Sequence, residues 1–287
     1  MVIGENLLLY FAFKRSRVKQ LVKRLIRTAR PETLKRIRLI GCCSFCCFCL
    51  VIVTQETLAC FAVQTVFRDH WATLRAAIQM LPTQMHQFSI AYPTLYIVVL
   101  RLVADADVAQ LETMMHRCSS TRARKLLTER FKTVALWQEF EQLFNIVPFM
   151  VMAILYHTIP GFIVGLIRDA QMKATHFPFL LAAYTIFHVV ILTHVLLLVF
   201  SVTRAQNAVS QASERLIRQL QQQSCSSIEE ASARHSLEQE LRHPQSLTGW
   251  HMFTIDPSLL LSFAASVISF SVLLIQLQDH GSQARSA

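Results

Sequence analysis

Residues 177–201 read FPFLLAAYTIFHVVILTHVLLLVFS, a run with no Asp, Glu, Lys or Arg. An α-helix needs about 20 apolar residues to cross the hydrocarbon core of a bilayer, and this run exceeds that. In hydrocarbon every backbone N–H and C=O must be satisfied inside the segment itself, which a helix does. Four further stretches qualify as spans. They are 39–58; 87–104, interrupted by Pro93 and with Arg101 near its end; 143–167, containing Pro148, Pro160 and Gly161; and 257–277. The predicted fold class is therefore an all-α, polytopic membrane helix bundle with about five spans.

Composition agrees. Of 287 residues, 53% are hydrophobic and only 16% charged, with a mean hydropathy of +0.39. Soluble domains carry about 25% charged residues, so much of this surface faces something other than water. Net charge is +10, from 28 Lys and Arg against 18 Asp and Glu. That excess clusters beside apolar blocks, which favours membrane lipid with anionic headgroups as a partner over nucleic acid.

The charge also orients the chain. Residues 14–38, 105–142 and 204–256 are basic, the first with eleven Lys or Arg from Lys14 to Arg38. The segments 59–86 and 168–176 and the tail after Leu277 are sparse in cations. Basic and sparse segments alternate across the spans, and the positive-inside rule puts the three basic ones in the cytoplasm. The C-terminus then falls outside, unlike that of an orthodox G-protein-coupled receptor. Residues 1–13 are apolar, but their charge follows rather than precedes them, and no small-residue cleavage site separates the two. They read as the remnant of a membrane helix whose beginning is missing, not as a signal peptide.

Four regions follow: 1–38, a helix remnant and basic cytoplasmic loop; 39–201, the transmembrane bundle; 202–256, a cytoplasmic helical linker; and 257–287, a last helix with an external tail. Within the linker, Val209, Ala212, Leu216, Ile217 and Leu220 recur near helical spacing, so 205–223 continues the fourth span as a helix. The polar stretch 224–245 is expected to be the most mobile part. Asp256 followed by Pro257 marks the start of the last helix, as N-cap and first helical residue.

No P-loop, Gly-rich dinucleotide turn, HExxH or GxSxG appears, so the chain is not expected to be an enzyme, and no cofactor is implied. Cys42, Cys43, Cys46, Cys47 and Cys49 have metal-like spacings, but thiolates with a metal are costly in hydrocarbon. They read as packing residues, with palmitoylation near Arg38 as the alternative. His157, His188 and His194 lie in spans without a carboxylate at their depth, which argues against a metal site or proton relay.

Two patterns bear on function. The topology puts Tyr92 and Tyr96 in the outer half of the second span, Tyr156 and His157 in that of the third, and Tyr184 and His188 in that of the fourth. Polar-tipped aromatics at one depth line a small-molecule pocket or form an interfacial belt. In the fifth span Ser262, Ser266 and Ser269 fall at i, i+4 and i+7, and Gln276 extends the stripe. Such a stripe packs on another helix or lines water.

The residues Trp250-His251-Met252-Phe253-Thr254-Ile255-Asp256, followed by Ser269-Phe270-Ser271-Val272-Leu273-Leu274-Ile275-Gln276-Leu277, resemble the signature of arthropod gustatory receptors. In that family a Phe-x-Ile-Asp approach precedes a helix carrying Thr-Tyr, five mostly apolar residues and Gln-Phe. Phe253, Ile255, Asp256 and Gln276 match; Ser269, Phe270 and Leu277 depart from the pattern. The family has seven spans, a cytoplasmic N-terminus and an external C-terminus, so the chain aligns with its third to seventh spans as an N-terminally truncated member. The resemblance implies a plasma-membrane chemosensory receptor for a small-molecule tastant. It further implies a ligand-gated cation channel, homo- or hetero-tetrameric, with the last helix lining the pore. The competing readings are a small-molecule transporter and a non-functional fragment or accessory subunit.

Overall fold

The computed structural model describes residues 2–35, 37–43, 46, 49, 53, 57, 70–118, 123–171, 177–222, 227–242 and 246–286. Among these, seven helices carry nearly everything. They are α1 (Val2–Thr28), α2 (His70–Arg117), α3 (Ala123–Phe144), α4 (Ile146–Gln171), α5 (Phe177–Gln221), α6 (Ile228–Arg242) and α7 (Pro257–Ser286). The described residues within 31–57 are helical as well. A short antiparallel hairpin, β1 (Thr248–Gly249) and β2 (Phe253–Thr254), sits just before α7, with Thr248 opposite Thr254 and Gly249 opposite Phe253.

Two helices set the architecture. α2 has 48 residues and α5 has 45. At 1.5 Å per residue each is about 70 Å long, against a hydrocarbon thickness of ~30 Å. They pack along each other and bind two layers into one body. In the apolar layer they are joined by α4 and α7. In the second layer their C-terminal halves are joined by α3 and α6. The expected helical continuation of 177–201 into 205–223 is thus present as one unbroken helix as far as Gln221. The segments 70–86 and 105–117, read from the sequence as connections, are likewise parts of α2.

Helical period explains the core. On α2 the residues Tyr96, Leu100, Val103, Asp107, Leu111 and Met114 recur every three or four positions and are all buried. On α3, Leu126, Arg130, Thr133, Trp137, Phe140 and Phe144 do the same. Where these stripes meet, Tyr96 lies 5.2 Å from Phe140 and 6.4 Å from Phe144, centroid to centroid, and Phe140 stacks on Phe144 at 5.2 Å. Tilted and offset ring pairs of this kind add to the stabilisation from area burial alone.

Each stripe also carries one charged residue. Arg130 donates to Asp107 across 2.5 Å, and the Trp137 indole N–H donates to the other Asp107 oxygen at 2.7 Å. Asp107 is 0% and Arg130 2% exposed. Burial pushes the Asp107 carboxyl up, and the guanidinium and both donated hydrogen bonds counter it. Two charges buried in an otherwise apolar contact between α2 and α3 are tolerated only because each is paired.

The polar stretch expected to be mobile holds a 15-residue helix, α6. Leu237 and Leu241, four apart, are buried and seat it between α3 and α5. Glu229 and Glu230 lie in its first turn and Arg242 in its last, matching the helix dipole. The polar composition of the stretch concealed two apolar anchors at helical spacing.

By length and composition, the described residues contain two helical stretches able to cross a membrane, Ala123–Tyr156 and Val189–Gln221, and a shorter apolar helix, Pro257–Leu273.

Candidate functional site

α7 is held at its start and along one side only. Asp256 caps it: its Oδ1 accepts the Leu259 backbone N–H at 3.1 Å and the Ser258 hydroxyl at 2.5 Å, while Thr254 donates to Oδ2 at 3.2 Å. The Ser258 hydrogen bond, then the Leu259 N–H, hold the Asp256 carboxyl below the usual carboxylate range. Pro257 follows as the first helical residue, where its missing N–H costs nothing.

The hairpin before the cap docks on the break between α3 and α4. Pro148 lies in the first turn of α4 and has no N–H for the Phe144 carbonyl four residues back, and the helical column is interrupted at Asn145, between α3 and α4. The Trp250 N–H donates to the Asn145 carbonyl at 2.8 Å. The Asn145 side chain meets His251 at 3.1 Å, and Thr248 donates to Glu141 at 2.6 Å. Trp250 also sits edge-on to Phe149, 4.9 Å away. Trp250 and His251 both have positive φ, 47° and 58°, an unfavourable region for side chains of that size. Gly249 faces the Phe253 ring so closely that a Cβ there would lie 2.3 Å from it. The clamp thus joins the linker, the α3–α4 break and α7 at one point.

Along its length α7 packs mainly on α4; Phe263 and Phe270 lie against α4 residues, and Val267 and Ser271 are buried on the same side of the helix. Phe270 stacks on Tyr156 of α4, ring centroids 5.9 Å apart at 27°. These two rings, with Phe149, Met152, Phe253 and Phe263, line an apolar groove of about 420 Å³. Ser271 is buried and returns its hydroxyl to the Val267 carbonyl at 2.7 Å.

The other side of α7 is free in the single subunit. Ser262, Ser266, Ser269 and Gln276 are exposed there, alongside Leu261, Ile268, Val272 and Leu273. At 3.6 residues per turn the four polar positions fall within about 80° of arc. Ser266 donates to the Ser262 carbonyl at 2.8 Å. A serine bonded back to its own helix is stable in an apolar setting and still offers its oxygen as an acceptor.

The aromatics expected at one depth divide. Tyr96 is 1% exposed, with its ring against Phe140 and Phe144 near the start of α4. Tyr156 lies ten residues along α4, about 15 Å further on, and is 44% exposed. Tyr96 is a core residue at the junction of the layers, and Tyr92, one turn earlier, is half-buried against the same core. Tyr96 thus packs at the α3–α4 junction, and Tyr156 packs further along α4 on Phe270. The side chains of His157, Tyr184 and His188 lie outside the described residues. Phe270, grouped by its motif with the serine stripe, belongs instead to the side packed on Tyr156. His194 donates its Nδ1 hydrogen to the Val190 carbonyl at 2.8 Å.

The Asn145 clamp and the Asp107–Arg130–Trp137 cluster escaped the sequence reading. The second had a signal: a carboxylate on the buried stripe of one helix and an arginine on that of the next, each where the period demands an apolar residue. The clamp had none, since it pairs backbone groups about a hundred positions apart.

Comparison with known proteins bears on this arrangement. The model of the family described as 7tm chemosensory receptor matches residues 6–279. No curated protein matches the chain. Among solved structures the fold is similar to the insect olfactory receptor OR5 from Machilis hrabei, with a TM-score of 0.70 at 11% identity, covering 96% of this chain and 78% of that one. The same receptor in complex with eugenol matches with a TM-score of 0.59 at 14% identity, over 90% of this chain and 70% of that one. At such identities the likeness is one of fold.

Proposed function

The chain belongs to the 7tm chemosensory receptor family, and from that premise we propose that it is a subunit of a ligand-gated cation channel of the gustatory kind. One observation carries the reading: α7 is packed on one side, clamped at its start, and bare along a stripe of Ser262, Ser266, Ser269 and Gln276. A bare polar stripe on an otherwise apolar membrane helix is costly against lipid. It is satisfied if copies of the helix gather around a common axis and the stripes face water. Four subunits, alike or mixed, do this with the hydroxyls and the Gln276 amide toward the ions.

The ligand in this reading is a small molecule. Support comes from the apolar groove beside Tyr156 and from the fold relative that was solved with eugenol. Tyr156 is proposed as part of the ligand wall, with His157, Tyr184 and His188 from the same end of α4 and α5. The stack of Tyr156 on Phe270 then passes any shift of α4 to α7, and the clamp at Asn145 fixes the pivot. Binding acts by favouring one of two placements of α7 over the other, and only a difference in affinity between them moves the equilibrium. An external C-terminus follows from the positive-inside assignment, and plasma-membrane residence belongs to the receptor reading.

The test is a current. The chain is expressed in oocytes, alone and with candidate partner subunits, and a tastant panel is applied under voltage clamp. A ligand-evoked, non-selective cation current is the expected result. A current that saturates, counter-transports or requires a substrate gradient identifies a transporter and contradicts the channel.

A further inference from the structure

The second layer contains a cavity of about 400 Å³, remote from the groove at Tyr156, where α3, α5 and α6 meet. Each helix contributes an arginine: Arg130 from α3, Arg218 from α5 and Arg242 from α6. Arg130 is buried, and its Nε–H has no hydrogen-bond partner among the described residues. Ser210 and Ser213 add hydroxyls from α5, and Glu214 is the single carboxylate among the described residues of the lining.

The charges do not cancel. Arg130 is balanced by Asp107 at 2.5 Å, outside the lining. Of the remaining two cations, Arg218 is 4.0 Å from Glu214 with both side chains largely exposed, a loose pair along one helix turn that contributes little. Arg242 has no carboxylate in the described lining but the shared Glu214. A concave site with surplus guanidinium groups, hydroxyl donors and a low-dielectric floor matches oxygen-rich anions, because guanidinium donates two parallel hydrogen bonds to such groups. An arginine left with an unused donor in a buried place is itself costly and marks the floor as unfinished.

We propose that this cavity binds a small, soluble, phosphate-bearing anion. Its size favours more than a lone phosphate: ligand pockets begin near 300 Å³. Its depth favours a soluble ligand over a lipid headgroup. Ser213 lies twelve residues beyond Ser201, where the apolar run ends, about 18 Å along α5. That the ligand comes from the cytoplasm rests on the channel reading and its topology; the cavity does not. Occupancy ties α6 to α3 and α5, and so stiffens the linker leading to the clamp on α7.

The 287-residue chain in nanodiscs of neutral lipid is titrated with inorganic pyrophosphate at constant ionic strength, with binding read by calorimetry and by thermal unfolding. The expected result is saturable binding, weakened tenfold or more in Arg218→Gln/Arg242→Gln and tightened in Glu214→Gln. The exposed positions 214, 218 and 242 allow these variants to fold. No saturable binding, or binding equal in all forms, overturns the assignment. Thermal protection by phosphatidylserine nanodiscs that is lost in the double variant, with none from pyrophosphate, also overturns it and gives the site to a lipid phosphate. No current is measured, so failure here leaves the channel reading untouched.

Discussion

The backbone N–H of Trp250 donates to the Asn145 carbonyl across 2.8 Å, joining the approach to α7 to the break in the α3–α4 column. The break exists because Pro148 cannot bond back along the helix. The Asn145 carbonyl at that break is used by a residue about a hundred positions later. A single hydrogen bond of this kind contributes only ~1 kcal/mol net, but here it is grouped with the Asn145–His251 and Thr248–Glu141 contacts and the Phe149–Trp250 ring pair.

Loosening this clamp separates ligand binding from opening. Gly249→Ala drives a methyl into the Phe253 ring, and overpacking of this sort costs about 1–3 kcal/mol. Channels with this substitution reach the surface but respond with reduced maximal current. Surface labelling alongside voltage clamp checks both parts.

The buried ion pair behaves non-additively. Asp107→Leu or Arg130→Met alone leaves one charge buried without its partner and costs about 3–5 kcal/mol. The double variant, Asp107→Leu with Arg130→Met, recovers most of that loss, since two apolar side chains then fill the space. Thermal unfolding of the detergent-solubilised protein measures all three forms.

Capping by Asp256 is pH-dependent in a known direction. Its carboxyl is held below its ordinary value in the folded chain. The stabilisation is therefore fully present above the unfolded value, about 3.9, and is lost as pH falls through the lower folded value. Amide exchange at Leu259 accelerates in that acid window in the native chain. Asp256→Asn, which caps without ionising, shows no such step.

Tyr156 and Phe270 act as a pair. Their stack is worth about 0.5–1.5 kcal/mol beyond area burial. Tyr156→Ala and Phe270→Ala each shift the half-maximal ligand concentration, and the double variant shifts it no further than the larger single change. Dose–response curves for the four forms give the coupling.

What the sequence made legible follows what is local. The apolar run 177–201, the Asp256-Pro257 start and the period of Ser262, Ser266 and Ser269 are each set within a few turns of helix, and each reappears in the structure. The pairing of helices is not local. Tyr96 and Tyr156 were placed by span alone, whereas their ring partners come from other elements: Phe140 and Phe144 for Tyr96, Phe270 for Tyr156. The docking of 228–242 rests on two leucines in a polar segment, a signal weak by composition and plain by spacing.

The most direct measurement is cysteine accessibility along α7. Single cysteines are placed at 262, 266, 267, 269, 271 and 276, and an impermeant thiol reagent is applied to open channels. Progressive loss of current at Ser262, Ser266, Ser269 and Gln276, with Val267 and Ser271 protected by α4, is the predicted pattern. Modification at Val267 and Ser271, or a uniform lack of effect with surface expression intact, would contradict the assignment of the bare face to the conducting path.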